Sequence, residues 1–153
     1  MVKVHVWLPD AQHVGHTALT IGTVYVSFWP DGSAGKKDLL IKSSQPGTFM
    51  QALRDDVRNE GSREPTTVEL GKLDEEKMLD WVNQLRQGAP RYQLARHNCS
   101  HVVANCLMAG AGARPSFTPH AGAYAAVLGK YLGRGIWTPD QVLQFARELQ
   151  QQA

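Results

Sequence analysis

Arg96-His97-Asn98-Cys99-Ser100-His101-Val102-Val103 is the stretch from which the rest of the chain can be read. Asn98 is a good N-cap type, and Val102, Val103, Cys106 and Leu107 follow at helical spacing. The spacing predicts a helix that opens at Cys99 and stops at Gly110. Cys99 then lies in the first turn, where the helix dipole and the turn's N–H groups favour an anion. A thiolate is stabilised there, and the same N–H groups suit a developing oxyanion. The plainer reading of Cys99 is a buried core cysteine. Cys106, two turns later on the same face, reads as a small core hydrophobe. Seven residues of one helix separate the two by about 10 Å of rise, beyond the ~7 Å limit for a disulfide. Two reduced thiols are expected, as in a protein made in a cytosol.

Upstream the pattern is β. Val2, Val4, Val6 and Leu8 alternate with Lys3, His5 and Trp7, which predicts a half-buried strand ended by Pro9-Asp10. A second strand is expected over His16 to Ile21 and a third over Val24 to Phe28. The Gly22-Thr23 turn joins them as a hairpin. Trp29-Pro30-Asp31-Gly32 reads as a break, Leu39 to Lys42 as a further strand, and Ser43 to Gly47 as loop. Gly35-Lys36-Lys37 reads as a solvated turn. Phe49, Leu53 and Val57 recur at helical spacing before Gly61, and Thr66 to Leu70 reads as a strand. Asp74 is placed to cap a helix through Gln87, with Gly88 as its stop. Downstream, Ala121 to Leu132 reads as helical. Thr138-Pro139-Asp140-Gln141 resembles a capping box with proline at the first helical position. One α+β domain over residues 1–153, a small antiparallel sheet packed against several helices, accounts for this order.

The composition agrees. The 153 residues are 42% hydrophobic and 20% charged, the balance of one globular domain. A net charge of +2 lacks the concentrated basic face that nucleic-acid binding needs. No apolar run approaches the ~18 residues of a membrane span, so stable membrane insertion is not expected. Met1 to Val6 alternates instead of forming a charged n-region and apolar h-region, so no secretory signal is expected.

A nucleophilic thiol needs a base. His16 opens a strand after Gly15, where a side chain can face a cleft; His13, His97, His101 and His120 compete. His97 and His101 flank the cap of Cys99's own helix, and a base from another element is easier to aim, which favours His16. His13-x-x-His16 and His97-x-Cys99-x-His101 hold enough nitrogen and sulfur for zinc. The first pair lacks the i,i+4 spacing of a helix, and no second pair supports it. Neither a metal nor another cofactor is expected.

The order of His16 first, then Asn98-Cys99-Ser100-His101-Val102 at a helix start, resembles the circularly permuted papain-like hydrolases. These include the NlpC/P60, PPPDE and lecithin:retinol acyltransferase-like groups. Gly15-His16-Thr17-Ala18-Leu19 and the lead-in Tyr92-Gln93-Leu94 fit the pattern. Val14 to Ile21, Tyr25 to Pro30 and Trp137 to Leu143 are similar to papain-like domains of secreted bacterial effectors of the type VI secretion kind. About Asp31 to Gln87 carries no matching motif. The resemblance implies a papain-like fold with Cys99 as nucleophile and His16 as base. It also implies a third polar residue on the following strand, where Ser27 lies roughly opposite His16, sharing a face with Tyr25 and Trp29. A carboxylate, amide or second histidine is more usual there. A dyad, or Asp10, Gln12 or His13 as third member, stays open. Trp29, Asn98 and His101 are implied as substrate-binding or site-shaping.

The activity so implied is a cysteine peptidase or amidase. It would cleave a peptide, isopeptide, peptidoglycan peptide or glutamine side-chain amide. The effector resemblance implies a bacterial toxin made in the cytoplasm and secreted into target cells, with an immunity protein as partner. The alternatives are an acyltransferase-like lipid acyl enzyme, with Trp29-Pro30 and Trp137 as apolar anchors, or a non-enzymatic binding module.

Overall fold

The computed structural model describes residues 1–30, 45–92, 97–119 and 136–152. The expected strand at Leu39–Lys42, the helix over Ala121–Leu132, the Gly35-Lys36-Lys37 turn, His120 and the Gln93-Leu94 lead-in lie outside them.

β1 (Val2–Trp7) pairs antiparallel with β2 (His16–Ile21), in a register that sets Trp7 against His16 and Val2 against Ile21. β2 turns through Gly22, at φ +62°, into β3 (Val24–Val26). With β6 (Thr66–Leu70) on the other side of β1, the order is β3-β2-β1-β6. Val2, Val4, Val6, Leu19, Ile21 and Val68 are all at most 5% exposed and join one core. β1 departs from the expected half-buried alternation, because its other face is covered too. There His5 hydrogen-bonds the Thr67 hydroxyl (3.0 Å) and the Thr20 hydroxyl (2.8 Å), and the Trp7 indole donates to the Arg63 carbonyl (2.8 Å). Both of these buried rings have found partners for their nitrogens, as burial demands.

The third strand does not run on to Phe28. The chain leaves the first sheet at Ser27 and starts a second one. In it β4 (Phe28–Pro30), β5 (Gln45–Phe49) and β7 (Arg91–Tyr92) stand in that order. Trp29-Pro30 is therefore strand rather than break, and Gln45 to Gly47 strand rather than loop. Pro30 is tolerated because β4 is an edge strand in this sheet. Gly47 is required: a Cβ there would lie 2.3 Å from the Phe28 ring. Phe28 packs against Phe49 (5.2 Å between ring centres) and Tyr92 (5.3 Å). That aromatic cluster makes Phe49 a strand residue, so α1 is the short Leu53–Asn59.

α2 (Glu75–Gln87) is capped by the Asp74 carboxylate, which accepts from the Lys77 N–H, and ends at Gly88 as expected. α3 (Cys99–Ala111) starts at Cys99 as expected but runs past Gly110. Its left-handed C-cap is Gly112, at φ +61°. Gly110 serves helix packing instead. A Cβ there would sit 2.4 Å from the Met78 sulfur of α2, so the missing side chain lets the helices close up. α4 (Pro139–Gln151) has proline at its first turn, and the Gln141 side chain accepts from the Thr138 N–H (3.3 Å). Val142, Phe145, Ala146 and Leu149 of α4 and Val102, Val103, Cys106 and Leu107 of α3 close the core under the first sheet. The fold is α+β, a small antiparallel sheet system packed on helices. Among the described residues no helix is long and apolar enough to cross a membrane.

Candidate functional site

Gly15 sets where β2 begins. It stands at φ +87°, and a Cβ on it would lie 2.6 Å from the Trp7 carbonyl oxygen and 2.9 Å from Pro139. Only glycine relieves both the dihedral and the contact. Gly15→Ala is expected to cost roughly 2–4 kcal/mol of folding free energy, measured by urea unfolding. A loss under about 0.5 kcal/mol would contradict the tight approach.

His16, the next residue, is fully buried. Its Nε2 lies 2.8 Å from the Ser27 hydroxyl and 3.3 Å from Asp56 Oδ2. Ser27 stands one residue past the end of the β2–β3 ladder, whose last pair is Leu19 with Val26. It is not directly opposite His16, and the bend into β4 turns its hydroxyl to the imidazole. The same hydroxyl donates to Asp56 Oδ2 at 2.5 Å. The proton placement follows from donor and acceptor capacity. An ionised carboxylate only accepts, so the single Ser27 proton goes to Asp56. Ser27 Oγ is then the acceptor for His16 Nε2–H. A neutral imidazole protonated at Nε2 keeps its lone pair on Nδ1.

Asp56 was not legible as a site residue. It lies in the first turn of α1, where the dipole favours a carboxylate. It is 0% exposed, held by the Tyr25 hydroxyl and Ser27 on Oδ2 and by the Trp29 indole N–H on Oδ1 at 2.6 Å. Burial alone would raise its pKa. The hydrogen bond and charge of His16, then the bonds from Ser27 and Tyr25, outweigh that and hold it at about 2. The Tyr25 phenol is pushed up, first by burial and then by the Asp56 charge. A carboxylate thus reaches His16 together with Ser27, and it comes from a helix instead of the strand. Asp10, a sequence-level alternative, instead accepts from the backbone of Gln12 and His13 and from the His13 ring.

Cys99 opens α3 and is 4% exposed. The Asn98 side chain accepts from the His101 N–H (2.9 Å), and His101 Nδ1 accepts from the Asn98 N–H (3.2 Å). The histidine two residues after the cysteine is therefore half of a capping box. Asn98 also donates to the Trp137 carbonyl at 3.0 Å, tying the helix start to the entry of α4. The neighbours of the two candidates touch: the hydroxyls of Thr17, beside His16, and Ser100, beside Cys99, are 3.3 Å apart. The start of β2 and the first turn of α3 meet there, although more than eighty residues separate them. Cys106 is different. Burial pushes its thiol up to about 12, and its sulfur faces the Met78 carbonyl at 3.7 Å. Both cysteines are free thiols.

The other histidines have separate work. His97 donates through Nδ1 to the Arg91 carbonyl (2.8 Å), and its ring packs on Phe28 at 5.1 Å. No group of three or more histidine, cysteine, aspartate or glutamate side chains among the described residues could hold a metal ion. Trp29 and Trp137 are each 5% exposed, the latter packed between Phe117 and Phe145.

The profile of the IcsB middle domain family matches residues 42–153, and the chain belongs to that family. The match takes in Asp56 and Cys99 and begins after His16 and Ser27. No curated protein and no solved structure matches the chain.

Proposed function

We propose that this domain is a papain-like thiol hydrolase of amide bonds, working through a Cys99 acyl-enzyme. The observation that supports this is the buried hydrogen-bonded line from Asp56 through Ser27 to His16, on a strand whose next residue bonds the first turn of Cys99's helix. In this reading His16 Nδ1 takes the Cys99 proton, and the thiolate attacks the carbonyl carbon. Helix-start N–H groups receive the oxyanion. The imidazolium gives its proton to the departing amine, leaving a thioester. Water, giving a proton to His16, then releases the carboxylic acid and restores the thiol. Asp56 stays ionised throughout and stabilises the imidazolium, as a buried orienting carboxylate does.

The substrate we propose is a protein or a peptidoglycan peptide. The setting we propose is a bacterial effector or toxin, met in its producer by an immunity protein. The lipid acyl reading loses support from the interior positions of Trp29 and Trp137. In a binding module the buried carboxylate–hydroxyl–imidazole line would serve packing alone.

Alkylation tests the reading. At neutral pH iodoacetamide is expected to label Cys99 at least about 10²-fold faster than Cys106, because a base-activated thiol at a helix start competes with one that burial pushes up to about 12. His16→Ala should bring Cys99 down toward the Cys106 rate. Equal slow labelling of both cysteines, read by peptide mass spectrometry, would favour the binding module.

A further inference from the structure

Trp29 does more than fill space beside the base. Its indole N–H donates to Asp56 Oδ1 at 2.6 Å and reaches the Ser27 hydroxyl at 3.1 Å. Its ring centre is 4.6 Å from that of His16, with the planes 33° apart. One side chain thus touches all three members of the line. Tyr25 and Ser27 hold Oδ2, so Trp29 fixes the other oxygen and with it the rotation of the carboxylate. The short N–H···O distance is that of a charge-assisted bond. The indole face also lies within the range at which an imidazolium is stabilised by a π system. Trp7 approaches His16 as well, at 5.6 Å, but its N–H is spent on the Arg63 carbonyl, outside this network.

We propose that Trp29 is a positioning residue, which sets the Asp56 carboxylate toward Ser27 and His16, and not part of a substrate-binding wall. The proposal rests on the reading of Cys99 and His16 as nucleophile and base.

Two measurements on the whole chain test it. The four tryptophans give four indole N–H signals in a proton–nitrogen correlation spectrum. The Trp29 signal, identified by its loss in Trp29→Phe, should lie furthest downfield and move upfield in Asp56→Asn, while the other three stay in place. The second measurement is a coupling. Trp29→Phe is expected to slow iodoacetamide labelling of Cys99 about tenfold in the wild-type background, the effect of one charged hydrogen bond. In the Asp56→Asn background it should slow labelling less than about twofold, because its target has been neutralised. Equal slowing in both backgrounds, or an indole signal indifferent to Asp56→Asn, overturns the proposal. Should Trp29→Phe fail to fold, the indole signals of Asp56→Asn decide alone, with three unmoved signals certifying its fold. If His16→Ala labels as fast as wild type, the nucleophile–base reading falls and this one with it. If His16→Ala slows labelling but the coupling is absent, only the role of Trp29 falls.

Discussion

Asp56→Ala is expected to remove about 3–5 kcal/mol of stability, since it strips the acceptor from the buried Ser27 hydroxyl and Trp29 indole and from the half-buried Tyr25 phenol. Asp56→Asn should cost less, because the amide keeps the shape and one acceptor oxygen. Both should slow Cys99 alkylation by about 10²-fold or more, the range of a lost orienting or proton-transfer group. The pH dependence gives a second handle. Asp56 titrates at about 2 in the fold against 3.8 as an ordinary carboxyl, so as pH falls the unfolded chain takes up the proton first. Its contribution is present above pH 3.8 and is lost as pH falls through 2, about 2 kcal/mol in all. His5 acts in a higher window. Burial first, then the Lys3 charge, lowers its pKa from 6.5 to about 4 against a small opposing pull from Asp56. The fold holds it neutral while the unfolded chain protonates, so stability declines from pH 6.5 to 4 by about 3 kcal/mol. Urea midpoints against pH should fall in these two stages. Asp56→Asn should lack the lower stage and keep the upper. A lower stage that survives in Asp56→Asn would show that other carboxyls cause it.

Elements that announce themselves locally were legible. β1 and β2 follow from alternation as strands and the β2–β3 hairpin from Gly22, α2 from Asp74 and Gly88, and the start of α3 from Asn98. What failed was decided at a distance. Phe49 has helical spacing to Leu53, but the Phe28 ring, itself packed on Tyr92, claims it for a strand that Pro46 and Gly47 argue against locally. Gly110 has the composition of a stop, yet its missing side chain serves the sulfur of Met78, a contact no window around residue 110 contains. β1 reads as half-buried because His5 and Trp7 are polar-tipped; the neighbouring strands supply Thr20 and Thr67 to the first, and the segment before β6 supplies the Arg63 carbonyl to the second.

The same division runs through the site. Cys99 was visible because capping is written within four residues, and His16 because Gly15 precedes a strand. Ser27 could be placed from hairpin arithmetic, although the chain bends there and the pairing is not direct. Asp56 was hidden. It lies in a seven-residue helix beside Asp55, and an Asp-Asp pair in a first turn reads as helix-dipole complementarity on solvent. One signal was available. Tyr25, Ser27 and Trp29 put three donors at alternate positions of one stretch, and donors taken out of water need an acceptor. That count predicts a carboxylate opposite them without saying which.

Cys99→Ala is expected to abolish every activity that depends on the thiol, a fall of about 10⁵-fold or more where turnover can be measured. His16→Ala should fall nearly as far, and the double variant no further, because nucleophile and base act as one unit. Cys106→Ala should leave activity in place. Its thiol is held protonated by burial, and its removal costs only packing, about 1 kcal/mol. Cell growth reads the test without a purified substrate. Wild type and each variant can be expressed in the bacterial cytoplasm, in the periplasm and in a eukaryotic host, with growth as the measurement. Harm confined to the periplasm would point to a peptidoglycan peptide, and harm in a cytosol to a protein. In either case it must vanish with Cys99→Ala and persist with Cys106→Ala. If Cys99→Ala harms cells as much as wild type, amide hydrolysis is not the cause. The buried line from Asp56 to His16 would then be a structural device that fixes β2 against α1.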